Sequence, residues 1–180
     1  LLRGLDMQVA GVQRRVAVRV HAVDHPCFAL DIETIVAAVG RQLCHLMIPK
    51  VDTVADVEVA VKLINAAGCP DLPIHVLSES SLAVHHAFAI AAHPRVQSIS
   101  FGVMDFVSSH NGAIPDSAMS AVGQFAHPLV LRAKLEIAAA CHAHGKVPSH
   151  CVVTEFKDAA TLQAAATQAS RELGYPRMWS

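Results

Sequence analysis

The sequence predicts an α/β fold of the (β/α)8 TIM-barrel type, with residues 1–180 forming a single partial barrel domain. Short apolar runs alternate with segments of helical periodicity, which is the pattern of parallel strands joined by helical crossovers. The chain is 53% hydrophobic and 16% charged, with a mean hydropathy of +0.40. This composition suits strands that are buried on both faces, as in a parallel sheet.

Apolar runs, together with residues that begin or end helices, predict the following helices and strands. The helix that begins after Thr53 has the clearest signal, because Thr53 can act as its N-cap with Asp56 three residues later, and Gly68 and Pro70 end it. Further helices are expected over about 29–40, 81–93, 128–143 and 158–173. The predicted strands are 16–20, 44–48, 74–77, 96–101 and 146–153, with the first residues of a sixth strand near residue 177.

An open Rossmann-type sheet is the main alternative to a barrel. No strand is followed by a GxGxxG motif, and no P-loop is present. Polar residues instead lie at or near the carboxyl ends of five different strands, which is where barrels build their active sites. These residues are Arg19, Lys50, Glu79, Asp105 and His150.

Glu79 and Asp105 follow two successive predicted strands. Neighbouring strands lie about 4.8 Å apart, so the two carboxylates can share one ion. Oxygen ligands without nearby His or Cys suit Mg²⁺. The structural alternative is that Glu79 caps the following helix and Asp105 opens a turn.

The other strand-end residues each have two interpretations. Arg19 could bind a substrate carboxylate through its guanidinium fork, or pair with a neighbouring acid. Lys50 could point inward or cap its strand, and His150 could be only a hydrogen-bonded wall residue. Residues 106–127 are long for a βα connection, so they are expected to form a lid or a substrate-contacting loop over the site.

Composition also limits the partners. The formal net charge is −1 with no basic run, and charged or His residues interrupt every apolar stretch, so neither nucleic acid nor a membrane is an expected partner. The five cysteines include no CxxC and predict reduced, mostly buried thiols in a cytoplasmic protein. The twelve histidines lack zinc-site spacing and are expected to be partly buried or on helix surfaces.

Five short motifs in fixed order carry a family resemblance: VRVH at 18–21, IPKV at 48–51, LSES at 77–80, HPRV at 93–96 and SFGVMD at 100–105. Together they resemble the HpcH/HpaI aldolase/citrate lyase beta-subunit family, and most closely its citryl-CoA, malyl-CoA and citramalyl-CoA lyases. The resemblance implies a Mg²⁺-dependent barrel, commonly a trimer or hexamer, that cleaves a 3-hydroxy-acyl-CoA into an acyl-CoA and a 2-oxo acid. It matches Glu79 and Asp105 to the metal ligands and Arg19 to the arginine that binds the oxo-acid carboxylate. Lys50 falls in the family's Pro-Lys motif, as a substrate-binding candidate.

The resemblance places the chain at barrel strands 3 to 7 and the start of strand 8, so a fragment of a longer polypeptide is expected. Ser78, Ser80 and His21 depart from the usual apolar residue, threonine and asparagine. Two alternatives stay open: a 2-oxo-acid aldolase of the same family that uses no CoA, and a barrel that has lost turnover.

Overall fold

A computed structural model describes residues 8–9, 12–13, 15–155 and 157–179. Six parallel strands form one curled sheet in the order β3-β4-β5-β6-β7-β8, which confirms the predicted alternation of strands and helices. A short antiparallel hairpin, β1 with β2, precedes the sheet and was not predicted. The strands are β1 Gln8–Val9, β2 Val12–Gln13, β3 Val16–Arg19, β4 Leu43–Ile48, β5 Ile74–Ser78, β6 Val96–Phe101, β7 Val147–His150 and β8 Arg177–Met178.

Each crossover between neighbouring strands contains helix. The segment after β3 begins as α1 (Phe28–Asp31), passes through a π-helical turn (Ile32–Val36) and α2 (Ala37–Val39), and ends in a 3-10 turn (Gly40–Gln42). The later helices are α3 Val54–Ala66, α4 Ser81–His85, α5 Ala87–Ala92, α6 Val103–Ser108, α7 Gly123–Ala126, α8 Pro128–Ala143 and α9 Ala159–Glu172. Helix α3 has the expected capping box, in which the Thr53 amide donates to Asp56 Oδ2 at an N···O distance of 2.8 Å.

The helices pack on one face of the sheet. Ile74 and Val76 of β5 belong to a buried cluster that also holds Ile64 of α3, Ile90 of α5 and Ile137 of α8. Helices on one face are expected where a parallel sheet curls toward a barrel, whereas a doubly wound sheet carries helices on both faces. The architecture is therefore consistent with part of a TIM-like barrel.

The opposite face of the sheet is polar at its centre. The His75 ring lies between two serine hydroxyls, with Nδ1 2.6 Å from Ser98 Oγ and Nε2 2.7 Å from Ser100 Oγ. The Trp179 indole donates to Ser100 Oγ at 2.9 Å, and His45 stacks on His75. Burial lowers the pKa of His75 to about 3, so its ring is neutral and acts as a hydrogen-bonded spacer between strands.

The segment 106–127 is not the open loop that its polar sequence predicted. It contains the end of α6, a 3-10 turn (Asp116–Met119) and all of α7. Phe106, Val107, Ile114 and Ala118 are buried in the main core and hold the segment against the sheet. The cavity described below has Asp105 in its wall but none of the residues 106–127, so the expected lid is not seen.

Lys134 of α8 is buried among apolar and weakly polar groups. Its side chain is fully inaccessible, and its Nζ lies 4.1 Å from the centroid of the Phe125 ring. Among the described residues, Nζ finds no hydrogen-bond partner. Burial lowers the pKa of Lys134 from 10.5 to about 8.

Replacing Lys134 by methionine is expected to stabilise the fold by about 1–3 kcal/mol at pH 7, because methionine fills the same space with no ammonium to desolvate. Between pH 8 and pH 10.5 the unfolded wild-type chain binds more protons than the folded one, so wild-type stability rises with pH there. The advantage of Lys134→Met should therefore shrink across that window. Urea denaturation at both ends of the window measures it.

Lys62 on α3 is exposed and supplies the matched control. Lys62→Met should change the free energy of unfolding by less than about 0.5 kcal/mol at either pH. A Lys134→Met variant that is less stable than wild type at pH 7 would show that the buried ammonium contributes favourably to the fold.

Candidate active site

Four of the predicted site residues line one cavity of about 770 Å³ at the carboxyl end of the sheet. Arg19 is the last residue of β3, Lys50 follows β4, and Glu79 comes directly after β5. Asp105 lies in the first turn of α6, shortly after β6. The rest of the cavity wall comes from residues 20–22 and 24–26 together with Asp31, Ile35 and Pro49.

Glu79 is buried and held from the neighbouring strand. The residue is 8% exposed, and its Oε2 accepts the Lys50 backbone N–H at 2.9 Å. It does not cap helix α4, because Ser80 does so: Ser80 Oγ accepts from the Ala83 amide at 3.0 Å. The capping alternative for Glu79 is therefore wrong, and its carboxylate is available to the cavity.

The electrostatics of Glu79 fit a cation site. Burial is the largest cause that raises the pKa of Glu79, to about 7, and the nearby Asp105 carboxylate raises it further, while the Lys50 amide opposes the shift. Two adjacent carboxylates, one buried and one exposed, repel each other unless a cation or a proton lies between them. Their donor atoms are all oxygen, and Mg²⁺ commonly takes one or two protein carboxylates plus water and substrate oxygens.

Gly102 makes room for Glu79 and was not predicted. A Cβ at residue 102 would lie 2.5 Å from Glu79 Cγ and 2.9 Å from its Oε1. The Gly102 amide also donates to the Ser78 carbonyl at 2.9 Å, which links the ends of β5 and β6. The only sequence signal is a glycine directly after a predicted strand, three residues before the second carboxylate.

Lys50 contributes through its backbone as well as its side chain. Its φ of 53° is in the left-handed region, which is uncommon for a residue other than glycine and costs on the order of 1 kcal/mol. This conformation accompanies the hydrogen bond from its amide to Glu79. The exposed side chain lies in the cavity wall, and its charge favours the ionised form of Glu79.

Arg19, Val20 and His21 all line the cavity, and of the three only Val20 is buried. The described residues place no acid within ion-pair distance of Arg19. Its guanidinium can therefore meet an anionic ligand. His21 is bound to Asp31, with His21 Nδ1 2.7 Å from Asp31 Oδ2, a pair that the sequence did not reveal.

His150 does not belong to this site. It is fully buried on the helix-bearing side, its Nδ1 donates to the Cys151 carbonyl at 3.0 Å, and its ring stacks on Phe125. His150 does lie at the carboxyl end of β7, as predicted. However, side chains alternate along β7, so His150 points toward the helices and Ser149 toward the other face. His150 is therefore a buried, hydrogen-bonded residue of the core and not a residue of the site.

The chain also holds histidines and cysteines outside this site, which are possible metal ligands. In the described part, no three His, Cys, Asp or Glu side chains are arranged to hold a metal ion. The five cysteines are free, and three of them are buried. None of the described helices has both the length and the apolar character that crossing a membrane requires.

Known proteins with similar sequences identify the family of the chain. The family model for HpcH/HpaI aldolase/citrate lyase matches residues 4–176. An L-malyl-CoA/beta-methylmalyl-CoA lyase of Cereibacter sphaeroides is 30% identical over 99% of the chain, and a (3S)-malyl-CoA thioesterase of the same species is 29% identical over 88%.

Solved structures of citrate lyases are also similar to the chain. A citrate lyase from Burkholderia xenovorans is 47% identical and superposes with a TM-score of 0.87 over 91% of the chain. A citrate lyase beta subunit from Mycobacterium tuberculosis, complexed with oxaloacetate and magnesium, shares the fold with a TM-score of 0.70 at 24% identity. The chain spans 59% of the Cereibacter lyase and 53% of the Burkholderia chain. The chain belongs to the HpcH/HpaI aldolase/citrate lyase family.

Proposed function

We propose that the protein is a Mg²⁺-dependent carbon–carbon lyase that cleaves a 3-hydroxy-acyl-CoA of the citryl-, malyl- or citramalyl-CoA type into an acyl-CoA and a 2-oxo acid. The observation that carries the proposal is the juxtaposition of the buried Glu79, the exposed Asp105 and the Arg19 guanidinium around one cavity. The names of the relatives, which include malyl-CoA lyases and citrate lyases, support the same chemistry.

The residues have distinct roles in this proposal. Glu79 and Asp105 would hold Mg²⁺, which supplies Lewis acidity and a template for the oxygens of the departing 2-oxo acid. Arg19 binds the carboxylate of that part of the substrate and fixes its orientation. Lys50 fixes Glu79 through its amide and adds positive charge to the substrate-binding wall.

The proposal extends to the whole protein. Strands β3 to β7 correspond to strands 3 to 7 of a (β/α)8 barrel, and β8 to the start of strand 8. The whole protein is proposed to be a cytoplasmic homo-oligomer, a trimer or a hexamer. Light scattering on the full-length gene product tests the assembly, and a monomer at micromolar concentration would contradict it.

The test of the function is an assay of the full-length gene product with Mg²⁺ and each of citryl-CoA, malyl-CoA and citramalyl-CoA. Chromatography of the CoA species and NMR of the oxo acid follow the products. The lyase proposal expects one acyl-CoA and one 2-oxo acid in equal amounts from at least one substrate, and no reaction with EDTA present. No cleavage of any of the three, with Mg²⁺ bound, would contradict it.

A thioesterase is a second candidate, because one relative carries that name. The same assay separates the two activities by their products. Thioester hydrolysis yields free CoA and an intact hydroxy acid, whereas the lyase leaves the thioester in place and yields a 2-oxo acid. A CoA-independent aldolase would instead act on a free 4-hydroxy-2-oxo acid, which can be assayed in parallel.

A further inference from the structure

The loop between β4 and α3, residues 49–53, is joined to the end of β5 by two hydrogen bonds. The first is the bond from the Lys50 amide to Glu79 Oε2, at 2.9 Å. The second lies close by along both segments, where the Ser80 hydroxyl donates to Asp52 Oδ1. Each bond pairs a carboxylate with a donor from the other segment. Glu79 and the residue that follows it are therefore both held by the same loop.

Both partners of the second bond are also anchored at the start of a helix. Ser80 Oγ accepts the Ala83 amide at 3.0 Å and so caps α4. The Asp52 amide donates to Asp56 Oδ2, in the first turn of α3, at 3.0 Å. The Asp52–Ser80 bond therefore connects the starts of two helices that follow neighbouring strands, and this connection gives both of its ends a fixed position.

Asp52 is not itself placed as a ligand of the metal site. Neither Asp52 nor Ser80 lines the cavity that has Glu79 and Asp105 in its wall. No set of three His, Cys, Asp or Glu side chains in the described part of the chain could hold a metal ion. Asp52 can therefore affect the metal site in two ways: through the position of Lys50 and Glu79, or through the charge of its carboxylate.

The backbone of Lys50 shows why the position matters. Its φ of 53° is in the left-handed region, and a residue other than glycine keeps such a conformation only where the surrounding structure fixes it. The two residues that follow supply this restraint, because Val51 is fully buried and Asp52 is bonded to Ser80. Without the Asp52–Ser80 bond, the turn can relax and withdraw the Lys50 amide from Glu79.

We propose that Asp52 and Ser80 are a positioning pair of the metal site, which holds Glu79 ready for Mg²⁺ through the turn at Lys50. The inference rests on the metal site of the proposed function and not on the identity of the substrate. A glutamate that is already ordered loses less conformational freedom when the ion binds. Groups that orient a metal ligand without touching the metal commonly contribute about 10–100-fold in metal affinity.

The experiment titrates the full-length protein with Mg²⁺ by calorimetry and compares two substitutions at Asp52. Asp52→Ala should weaken Mg²⁺ binding about 10–100-fold. Asp52→Asn should bind Mg²⁺ within about threefold of wild type, because its amide oxygen can still accept the Ser80 hydroxyl. If Asp52→Asn loses as much affinity as Asp52→Ala, the charge of Asp52 is what acts, and the positioning role is wrong.

Substitutions of Ser80 give the same comparison from the other partner, also in the event that Asp52→Ala does not fold. Ser80→Thr keeps the hydroxyl and should keep wild-type Mg²⁺ affinity, whereas Ser80→Ala should lose it. In the Ser80→Ala background, Asp52→Ala should weaken Mg²⁺ binding little further, because the bond is already absent. Fully additive losses of affinity would contradict a role through this bond.

A readout in the metal-free protein follows the turn itself. Hydrogen exchange of the Lys50 amide, measured by NMR without Mg²⁺, should be at least about tenfold faster in Asp52→Ala than in wild type, because the amide is released from Glu79 more often. Asp52→Asn should exchange at the wild-type rate. Unchanged exchange in Asp52→Ala would show that the bond does not hold the turn.

Asp158 is the matched control for the loss of an aspartate at a helix start. It caps α9, with Oδ1 accepting the Ala160 amide at 3.0 Å, and it lies outside the cavity wall. Asp158→Ala should lower stability in urea and leave Mg²⁺ affinity unchanged. An Asp52→Ala protein that binds Mg²⁺ as tightly as wild type overturns the inference and leaves the metal site standing. A wild-type protein that does not bind Mg²⁺ overturns both.

Discussion

Glu79→Gln is expected to reduce Mg²⁺-dependent cleavage by at least about 10³-fold, because an amide is a poor ligand for Mg²⁺ and the Lewis acid supplies several kcal/mol of transition-state stabilisation. The amide oxygen can still accept the Lys50 N–H, so the local fold should persist. Mg²⁺ is expected to raise the Tm of wild type, and the variant should lose that rise. Calorimetric titration with Mg²⁺, thermal melts and the cleavage assay measure these three effects.

Glu136 on α8 is the matched control, since its carboxylate lies on the surface and only approaches Arg132 at 3.9 Å. Glu136→Gln should keep wild-type Mg²⁺ affinity and activity. If Glu79→Gln binds Mg²⁺ as tightly as wild type, the assignment of Glu79 as a metal ligand is wrong, whatever happens to activity.

Gly102→Ala should weaken Mg²⁺ binding by at least about tenfold and lower activity in proportion, because the new methyl group displaces the Glu79 carboxylate. The backbone of Gly102, at φ −97° and ψ 85°, is outside the left-handed region, so alanine has no left-handed backbone strain there. The effect is therefore expected to arise from the contact with the Glu79 side chain. Mg²⁺ titration and urea denaturation of the single variant measure it.

A double-mutant cycle isolates that contact. In a Glu79→Ala background the methyl group that Gly102→Ala adds no longer meets the glutamate side chain, so the substitution should destabilise that background much less than it destabilises wild type. Equal destabilisation in both backgrounds would mean that Gly102 acts through the backbone and not through Glu79.

The sequence pattern predicted the layout of the sheet well, for a physical reason. Buried parallel strands need continuous apolar runs, and the helix after Thr53 needs its cap, so both leave a local signal. The carboxyl ends of parallel strands lie at one edge, which is why Arg19, Lys50, Glu79 and Asp105 could be expected together. In the structure these four residues line one cavity.

The errors have a common cause, which is that tertiary contacts overrode local composition. Segment 106–127 looks polar, yet its few apolar residues are enough to anchor two short helical elements in the core. The place of His150 at a strand end predicts a residue near the site, but the direction of its side chain depends on the alternation within β7. The role of Gly102 depends on a side chain from another strand, and no spacing rule within one segment could have revealed it.

The His21–Asp31 pair was missed for a similar reason. Ten residues separate the two, and only the fold of the segment after β3 brings α1 back to the strand end. In the sequence, His21 was visible only as a departure from the asparagine of the family pattern. Its partner could be found only from the structure.

The metal site is tested most directly by a crystal structure of the full-length protein with Mn²⁺ in place of Mg²⁺ and with an oxo acid bound, in which anomalous diffraction locates the ion. We expect one anomalous peak within coordination distance of a carboxylate oxygen of Glu79 and one of Asp105, with the oxo acid chelating the ion and its carboxylate on Arg19. A peak elsewhere, or an oxo acid bound away from both carboxylates, would show that Glu79 and Asp105 are not the metal ligands of this family member.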